Sequence, residues 1–199
     1  MLKLVRRVSA KRISTTIPVE FYIIFSNKLE NQFMSFSQKD NSKKIYTIDE
    51  IKDKMAKYCL YQDRCHWEVE KKLREFDLIP EAKDEIIFKL LHYGFLNEER
   101  FVHNFVRGKV NQKLWGKNRL KQELKLRQID SKLIDTALKE EIDPEKYWNN
   151  LVKLSQKKYD ALYSERDSFK KINKIKSFLA YKGYEFDLIN EAIVLLNIK

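Results

Sequence analysis

Three segments of this 199-residue chain share one pattern of apolar residues, and this repeat constrains the fold more than any other feature of the sequence. The pattern is anchored on Leu73, Leu124 and Leu179, which stand 51 and 55 residues apart. Each anchor has one apolar residue four positions before it and another fourteen positions after it: Val69 and Ile87, Leu120 and Leu138, Ile175 and Ile193. Because a unit of about 50 residues buries little apolar surface alone, the copies are expected to stack into an elongated, curved array with shared cores.

The second and third copies agree at further positions around the turn that follows each anchor. Four more pairs of apolar residues match there: Ile129 with Tyr184, Leu133 with Leu188, Ile134 with Ile189, and Ala137 with Ala192. Amphipathic helices resemble one another by chance, but these extra matches favour a true repeat. Each unit is expected to hold a helix that closes on the anchor leucine, a short turn and a second helix. A third helix links one unit to the next.

Helix-start signals recur from residue 46 onwards. Thr47 and Glu50 have the spacing of a capping box, and Tyr46 and Ile51 supply its hydrophobic staple. Three further starts are indicated by capping side chains, one of them followed by proline: Asn97, Asp130, and Asp143 before Pro144. Apolar residues recur every three or four positions between these starts, without sustained strand alternation. The sequence from residue 46 is therefore predicted to be all-α, with three tandem three-helix repeats.

The first 45 residues differ in composition from the rest and are predicted to be an N-terminal extension, either disordered or ahead of the native start. The stretch from Met1 to Val19 is basic and contains no acid, as in organellar transit peptides. The alternative, which we favour, is that translation begins at Met34 and that residues 1–33 add nothing to function. The rest of the chain is divided into repeat 1 (residues 46–106), a basic repeat 2 (107–143) and repeat 3 (144–199).

The net charge of +11 is concentrated in the middle of the chain. Residues 107–127 hold eight basic side chains and a single acid, Glu123, whereas residues 56–106 hold eight basic and ten acidic side chains. Such a segment favours a polyanionic partner, either the phosphates of DNA or an acidic protein surface. The other interpretation is a solvated lysine face that only keeps the protein soluble. Like charges four residues apart on a helix are unfavourable in isolation, which favours a partner.

Helical spacing places much of this charge on one side of the middle repeat. Lys109 and Lys113 share a helix face, and Lys117, Lys121 and Lys125 repeat the same spacing on the next helix. That side is expected to be almost purely positive. The predicted residues for binding a partner are the eight basic side chains of the segment: Arg107, Lys109, Lys113, Lys117, Arg119, Lys121, Lys125 and Arg127.

Most aromatic residues of the helical region fall on apolar faces and are expected in the core. This group includes Phe95, Phe101, Phe105, Phe178 and Tyr184. Trp115 lies between the two basic helices and has two interpretations. It either packs against the core, which we favour, or stacks on a base or on a protein partner.

Catalysis and metal binding find little support in the residue pattern. The sequence has no nucleophile elbow or phosphate-cradling glycine loop, and His66, His92 and His103 lie on separate segments. No catalytic residue, cofactor site or metal site is predicted. Cys59 and Cys65 would stand roughly 9 Å apart along one helix, too far for a disulfide bond, and are expected to be reduced thiols. No apolar stretch approaches the roughly 20 residues needed to cross a bilayer.

Residues 90–101, which read LLHYGFLNEERF, resemble the most characteristic stretch of the RecX family. The family pattern runs from leucine through a glycine, an apolar pair and acids to Arg-Phe. Residues 116–124 (GKNRLKQEL) resemble the opening of the family's second repeat, and residues 178–184 (FLAYKGY) resemble the turn of its third. The likeness covers residues 50–196, in order.

Two features depart from the family pattern. The turn of the first repeat holds Pro80 and lacks the usual glycine. Gly108 falls inside a predicted helix, where glycine costs roughly 1 kcal/mol relative to alanine. Gly108 either allows another backbone to approach closely or reflects sequence drift.

The resemblance implies a modular, non-enzymatic, cytoplasmic regulator of DNA repair and homologous recombination, within the SOS response. Proteins of the RecX family lie in the groove of the RecA–DNA filament and restrain its ATP hydrolysis and strand exchange. The implied partners are the RecA filament and, weakly and without sequence specificity, single- and double-stranded DNA. The chain is expected to be a monomer without membrane contact.

Two other functions stay open at the level of the sequence. One is a stand-alone helix–turn–helix DNA-binding protein that reads base edges with Asn118, Arg119 and Gln122. The other is a helical scaffold without a role on nucleic acid. Repeats spread over about 150 residues suit binding along a filament better than entry into one DNA groove.

Overall fold

A computed structural model describes residues 46–196, and all regular secondary structure in this range is helical. The helices of the described range are α1 (Ile48–Tyr61), α2 (His66–Leu73), α3 (Pro80–His92), α4 (Glu98–Lys113), α5 (Lys117–Lys125), α6 (Ser131–Glu141), α7 (Pro144–Ala161), α8 (Ser168–Lys182) and α9 (Phe186–Leu195). The all-α prediction is confirmed. The predictions for residues 1–45 lie outside the described range. None of the helices described is long and apolar enough to span a membrane.

The helices form three units of three, in which α1–α3, α4–α6 and α7–α9 each pack together. The anchor Leu73 is the last residue of α2, whereas Leu124 and Leu179 lie near the ends of α5 and α8, and each anchor is 0% exposed. The apolar residues four positions before them, Val69, Leu120 and Ile175, are equally buried. The predicted three-helix repeat is therefore confirmed.

The second and third repeats close their anchor helices with the same backbone turn. The residue four positions after the anchor has positive φ in both, 60° at Gln128 and 93° at Gly183. The next amide donates to the carbonyl of the anchor leucine, from Ile129 to Leu124 and from Tyr184 to Leu179, each at 3.2 Å. This is the hydrogen-bond pattern of a Schellman motif, which satisfies carbonyls at the end of a helix and packs an apolar residue back onto it.

The first repeat ends its anchor helix differently. After Leu73 the hydrogen bonds span only three residues: the amides of Glu75 and Phe76 donate to the carbonyls of Lys72 and Leu73. Pro80 is the first residue of α3, where its missing N–H costs no helical hydrogen bond. The proline and the missing glycine, which depart from the family pattern, are therefore accommodated by a turn in which no residue has positive φ.

The predicted helix starts are also present. Thr47 and Glu50 form the complete capping box of α1. The side chain of Asn97 accepts a bond from the amide of Arg100. The carboxylates of Asp130 and Asp143 cap α6 and α7 in the same way. Each of these side chains satisfies a backbone N–H that has no partner within the helix.

Repeats 2 and 3 share one apolar core. Its buried members include Val106 and Leu120 from the middle repeat together with Leu151 and Ile175 from the third. Cys65, at the start of α2, reaches the same cluster from repeat 1. The expectation that neighbouring units share a core is confirmed for repeats 2 and 3.

The boundary that we expected between residues 106 and 107 falls inside α4, which runs without a break from Glu98 to Lys113. Gly108 does not end this helix, because a single glycine costs only roughly 1 kcal/mol. Since α4 packs against α5 and α6, we propose that repeat 2 begins near Asn97.

The two cysteines are free thiols, as predicted, but they do not lie on one helix. Cys59 belongs to α1, which ends at Tyr61, and Cys65 is the residue before α2. Both are buried, and burial raises the pKa of each thiol to about 11.

Candidate binding surface of the middle repeat

The two basic helices of the middle repeat are joined by a tight connection. Helix α4 ends at Leu114, which adopts a left-handed conformation with φ of 51°. Trp115 follows, and Gly116 is the residue before the first turn of α5. The connection between the two helices is therefore only three residues long.

The start of α5 is docked onto the end of α8 in the third repeat. The amides of Gly116 and Asn118 donate to the carbonyls of Lys182 and Gly183, both at 2.9 Å. A Cβ atom on Gly116 would stand 2.2 Å from the backbone of Gly183. The positive end of one helix dipole therefore meets the negative end of another, and only glycine permits the approach.

Lys117 belongs to the same junction. Its amide donates to the Tyr147 hydroxyl at 2.9 Å, and that hydroxyl donates to Glu185 at 2.6 Å. The ammonium group of Lys117 lies 3.5 Å from Glu185. Burial, reinforced by the bond to Glu185, raises the pKa of Tyr147 far above its usual range. Lys117 is therefore part of the packing between repeats 2 and 3.

Two aromatic rings hold three of the predicted basic side chains together. Phe105 and Trp115 stand 6.2 Å apart in an edge-on arrangement. Lys109 lies over both rings, at 5.2 Å and 5.3 Å. Arg127 lies 5.3 Å from Phe105, and Arg119 lies 4.2 Å from Trp115. Cation–π attraction in these positions offsets part of the repulsion between the cations.

Trp115 is partly buried against the shared core, so the core-packing prediction is confirmed. The Arg119 guanidinium lies between Trp115 and Tyr181, 4.8 Å from the second ring, and donates to the Tyr181 carbonyl at 3.3 Å. Arg119 therefore joins the middle repeat to the third one.

Four of the eight predicted basic residues face carboxylates, and each of the four has a partner at least 14 positions away in the sequence. Arg107 forms a bidentate ion pair with Glu141, in which Nε and Nη2 donate to the two carboxylate oxygens at 2.6 Å and 2.7 Å. These hydrogen bonds lower the pKa of the Glu141 carboxyl below its usual range. The other pairs join Lys117 to Glu185, Lys121 to Asp135, and Arg127 to Glu68 and to the nearby Glu123. The surface is less positive than the charge of the segment suggested.

Lys109, Lys113 and Lys125 form no ion pair with a carboxylate in the described part of the chain. They lie in two places. Lys125 lies with Lys121 beside a shallow hollow on α5, near the exposed Leu126. Lys109 and Lys113 lie in a groove of about 300 Å³ between the end of α1 and one face of α4, which we call the Gly108 groove. Its lining includes Gln62, Phe105, Gly108, Lys109, Gln112 and Lys113.

The structure also assigns roles that we did not infer from the sequence. Arg100, in the motif that resembles the RecX family, bonds to Asp63 at 2.6 Å and to the carbonyls of Gly94 and Phe95. Glu98, in the same motif, accepts a bond from the amide of His66 at the start of α2. The motif therefore fastens repeat 1 to repeat 2. The spacing of residues within the motif does not predict this role, because the partners Asp63 and His66 lie about 30 to 40 positions earlier in the sequence.

Comparison with family models supports this arrangement. The chain matches the model of the second three-helix domain of RecX over residues 97–138. It matches the model of the third three-helix domain over residues 145–193. These ranges correspond to α4–α6 and to α7–α9.

Curated relatives carry the same description. The chain is 32% identical over 128 residues to the regulatory protein RecX of Clostridioides difficile, an alignment that covers 62% of this chain and 59% of the relative. It is 28% identical over 183 residues to the regulatory protein RecX of Oceanobacillus iheyensis, covering 91% of this chain and 64% of the relative. The chain thus spans about six tenths of the length of these two relatives.

Solved structures give the same answer at the level of the fold. A crystal structure of regulatory protein RecX aligns with a TM-score of 0.64 at 21% identity, covering 85% of each chain. The crystal structure of RecX from Lactobacillus salivarius aligns with a TM-score of 0.64 at 30% identity, covering 76% of this chain and 97% of that one. The chain belongs to the RecX family.

Proposed function

We propose that this chain is a non-catalytic regulator that binds the RecA recombinase on its DNA filament and restrains ATP hydrolysis and strand exchange. Membership of the RecX family, through its second and third three-helix domains, is the observation that carries the proposal. The regulation would follow from binding alone, with auxiliary, non-specific affinity for DNA. We propose further that the protein acts as a monomer in the cytoplasm.

The basic residues of the middle repeat support this function in two different ways. Lys109, Lys113 and Lys125 leave their charge uncompensated by described carboxylates and are proposed to contact the filament. Lys121 is 44% exposed beside Lys125 and can exchange its ion pair with Asp135 for a partner, because exposed ion pairs are weak. Arg107, Lys117, Arg119 and Arg127 are proposed to hold the surface in place through their internal partners.

The geometry of α5 disfavours the alternative of a base-reading helix–turn–helix protein. A recognition helix of that class places its first residues against base edges in the major groove. Here the amides of Gly116 and Asn118 are bonded to α8, and the guanidinium of Arg119 is enclosed by two aromatic rings. The first residues of α5 thus contact the third repeat, which disfavours their contact with base edges.

The proposal is tested by the DNA-dependent ATPase of RecA on single-stranded DNA. We expect the full chain to slow ATP hydrolysis at a ratio of protein to RecA near one or below, because a regulator in the filament groove contacts several subunits. The control is the ATPase of a DNA-independent enzyme under the same conditions. An unchanged RecA rate at saturating protein would contradict the proposed function.

A further inference from the structure

Gly108 is the glycine whose presence the fold itself does not explain. The chain has four glycines, and all lie in the described range. Gly94 and Gly183 have positive φ, and a Cβ on Gly116 would collide with the backbone of Gly183. Gly108 is in the middle of α4, and a Cβ atom there would meet nothing within 4 Å. The helix bears the cost of this glycine without any gain in internal packing.

Gly108 lies in a stripe of α4 that forms one wall of the Gly108 groove. Phe105, Gly108 and Gln112 follow one another at intervals of three and four residues, so they share one helix face. The missing side chain leaves the helix backbone open at the centre of this wall. Gln62, at the end of α1, lines the same groove from repeat 1.

The chemistry of the groove is that of a site for an extended polypeptide. The amide groups of Gln62 and Gln112 form no hydrogen bond with another described residue, so they can pair with the main chain of a ligand. Lys109 and Lys113 supply two ammonium groups without carboxylate partners in that range. At Gly108 the ligand backbone can approach the helix more closely than any side chain would allow.

The charges of the groove favour a peptide over a nucleic acid. Asp63 and Glu68 also line it. Asp63 is engaged by Arg100 and Asn104, and Glu68 by Arg127, so their charges are balanced inside the protein. The free positive charge of the groove is therefore that of Lys109 and Lys113 alone, which suits one or two acidic side chains of a peptide better than a continuous row of phosphates.

We propose that the Gly108 groove binds an extended, acidic segment of the protein partner, with the ligand backbone lying across Gly108. This inference rests on the proposed function, because the partner is taken to be RecA. It adds to that function a defined binding site, lined by repeats 1 and 2, whose ligand is protein and not DNA.

The test compares Gly108→Leu with wild-type protein in binding to two probes. One probe is a RecA filament assembled on single-stranded DNA, and the other is the same DNA without RecA. Leucine favours the helix and meets no atom at its Cβ, so the thermal midpoint should equal or exceed that of the wild type. We expect the variant to bind the filament about tenfold more weakly and free DNA within about twofold of the wild type.

Two control variants test whether the position and the size of the added side chain determine the loss of filament binding. Asn111→Leu places the same side chain on an exposed position of α4 outside the groove lining, and it should bind both probes like wild type. Gly108→Ala adds a single methyl group, so it should weaken filament binding less than leucine does. Its thermal midpoint should rise by about 2–4 °C.

Three outcomes would overturn the inference. Equal filament binding by Gly108→Leu and wild type would show that the groove is not used, and the proposed function would stand. A parallel loss of binding to free DNA would assign the groove to nucleic acid. Failure of the wild type itself to bind the filament would contradict the proposed function and this inference together.

Discussion

Arg100 stands in the stretch that most resembles the RecX family, and the role of its side chain is structural. Its Nε donates to Asp63 in the loop after α1, and two further nitrogens donate to the carbonyls of Gly94 and Phe95 after α3. The planar guanidinium reaches three acceptors at once, which a lysine ammonium on a flexible stem cannot reproduce. One residue thus fixes the turn before α4 and the loop after α1.

Replacing this residue should cost stability. We expect Arg100→Ala to lower the free energy of unfolding by about 2–3 kcal/mol and Arg100→Lys to recover less than half of that loss. Urea denaturation followed by circular dichroism measures both. Arg74→Lys, at an exposed position, is the matched control and should change stability by less than about 0.5 kcal/mol. Full recovery of stability by Arg100→Lys would show that the three hydrogen bonds of the guanidinium do not contribute to the free energy of unfolding.

The two cysteine thiols are expected to react slowly in the folded protein. Burial raises the pKa of Cys59 and of Cys65 to about 11, so at pH 8 only about one thiol in a thousand is the reactive thiolate. Alkylation by iodoacetamide at pH 8 should be at least tenfold faster in denaturant than in buffer. The rate in buffer should rise steadily as the pH approaches 11. Rapid labelling of the folded protein at pH 8 would contradict the burial of these thiols.

Helix α5 shows how the elements combine, because both of its ends are fixed by backbone contacts. At its start, Gly116 and Asn118 bond to the end of α8, and at its end Gln128 and Ile129 complete the Schellman turn. Lys182 adds a bond from its ammonium group to the carbonyl of Lys113. The start of the basic helix is therefore fastened to repeat 3 by backbone hydrogen bonds, and its end is closed by hydrogen bonds within repeat 2.

The contact between α5 and α8 should tolerate no side chain at Gly116. We expect Gly116→Ala to lower the free energy of unfolding by about 2–3 kcal/mol, because its Cβ would stand 2.2 Å from the backbone of Gly183. Gly108→Ala is the matched control, since the same change in open helical space should stabilise by up to about 1 kcal/mol. Thermal or urea denaturation distinguishes the two. Equal stability of both variants would mean that the two repeats do not approach as closely as described.

The helices were the predictable part of the structure. Capping residues such as Thr47, Asn97 and Asp130 act on amides two or three positions away, so their signal is local. The buried anchors follow from the periodicity of apolar residues. The boundary within α4 was not predictable in this way, because an abrupt change in charge after Val106 does not coincide with a helix end. Gly108 gives no helix-end signal either, since glycine inside a packed helix is tolerated.

At the level of the whole molecule, the charge of the middle repeat was the least predictable feature. A count over residues 107–127 finds a single acid, but Glu68, Glu141 and Glu185 are brought to this segment by the fold. Tertiary contacts of this kind leave no trace in the local sequence. Of the eight predicted basic residues, Lys109, Lys113, Arg119 and Lys125 have no carboxylate partner in the described part of the chain, and Arg119 is engaged instead by two rings and the Tyr181 carbonyl. We therefore propose Lys109, Lys113 and Lys125 as the residues that contact a partner.

We propose that these three lysines, and not the positive charge of the chain as a whole, carry the proposed action on RecA. Two triple charge reversals separate these possibilities. Lys109→Glu, Lys113→Glu and Lys125→Glu form one variant. Lys146→Glu, Lys153→Glu and Lys157→Glu form its control, at exposed positions of α7, and both lower the net charge equally. Both should fold, since every substituted position except the half-buried Lys109 is exposed, where a substitution costs about 0.5 kcal/mol. At Lys109 the change also removes the contacts with the Phe105 and Trp115 rings.

The most direct measurement is the concentration of each variant that halves the DNA-dependent ATPase of RecA. We predict that the variant in the middle repeat needs at least about tenfold more protein than the wild type, and the α7 control at most about twofold more. A folded middle-repeat variant that inhibits RecA like the wild type would contradict the account. An equal loss of inhibition in both variants would also contradict it, because net charge alone would then explain the effect.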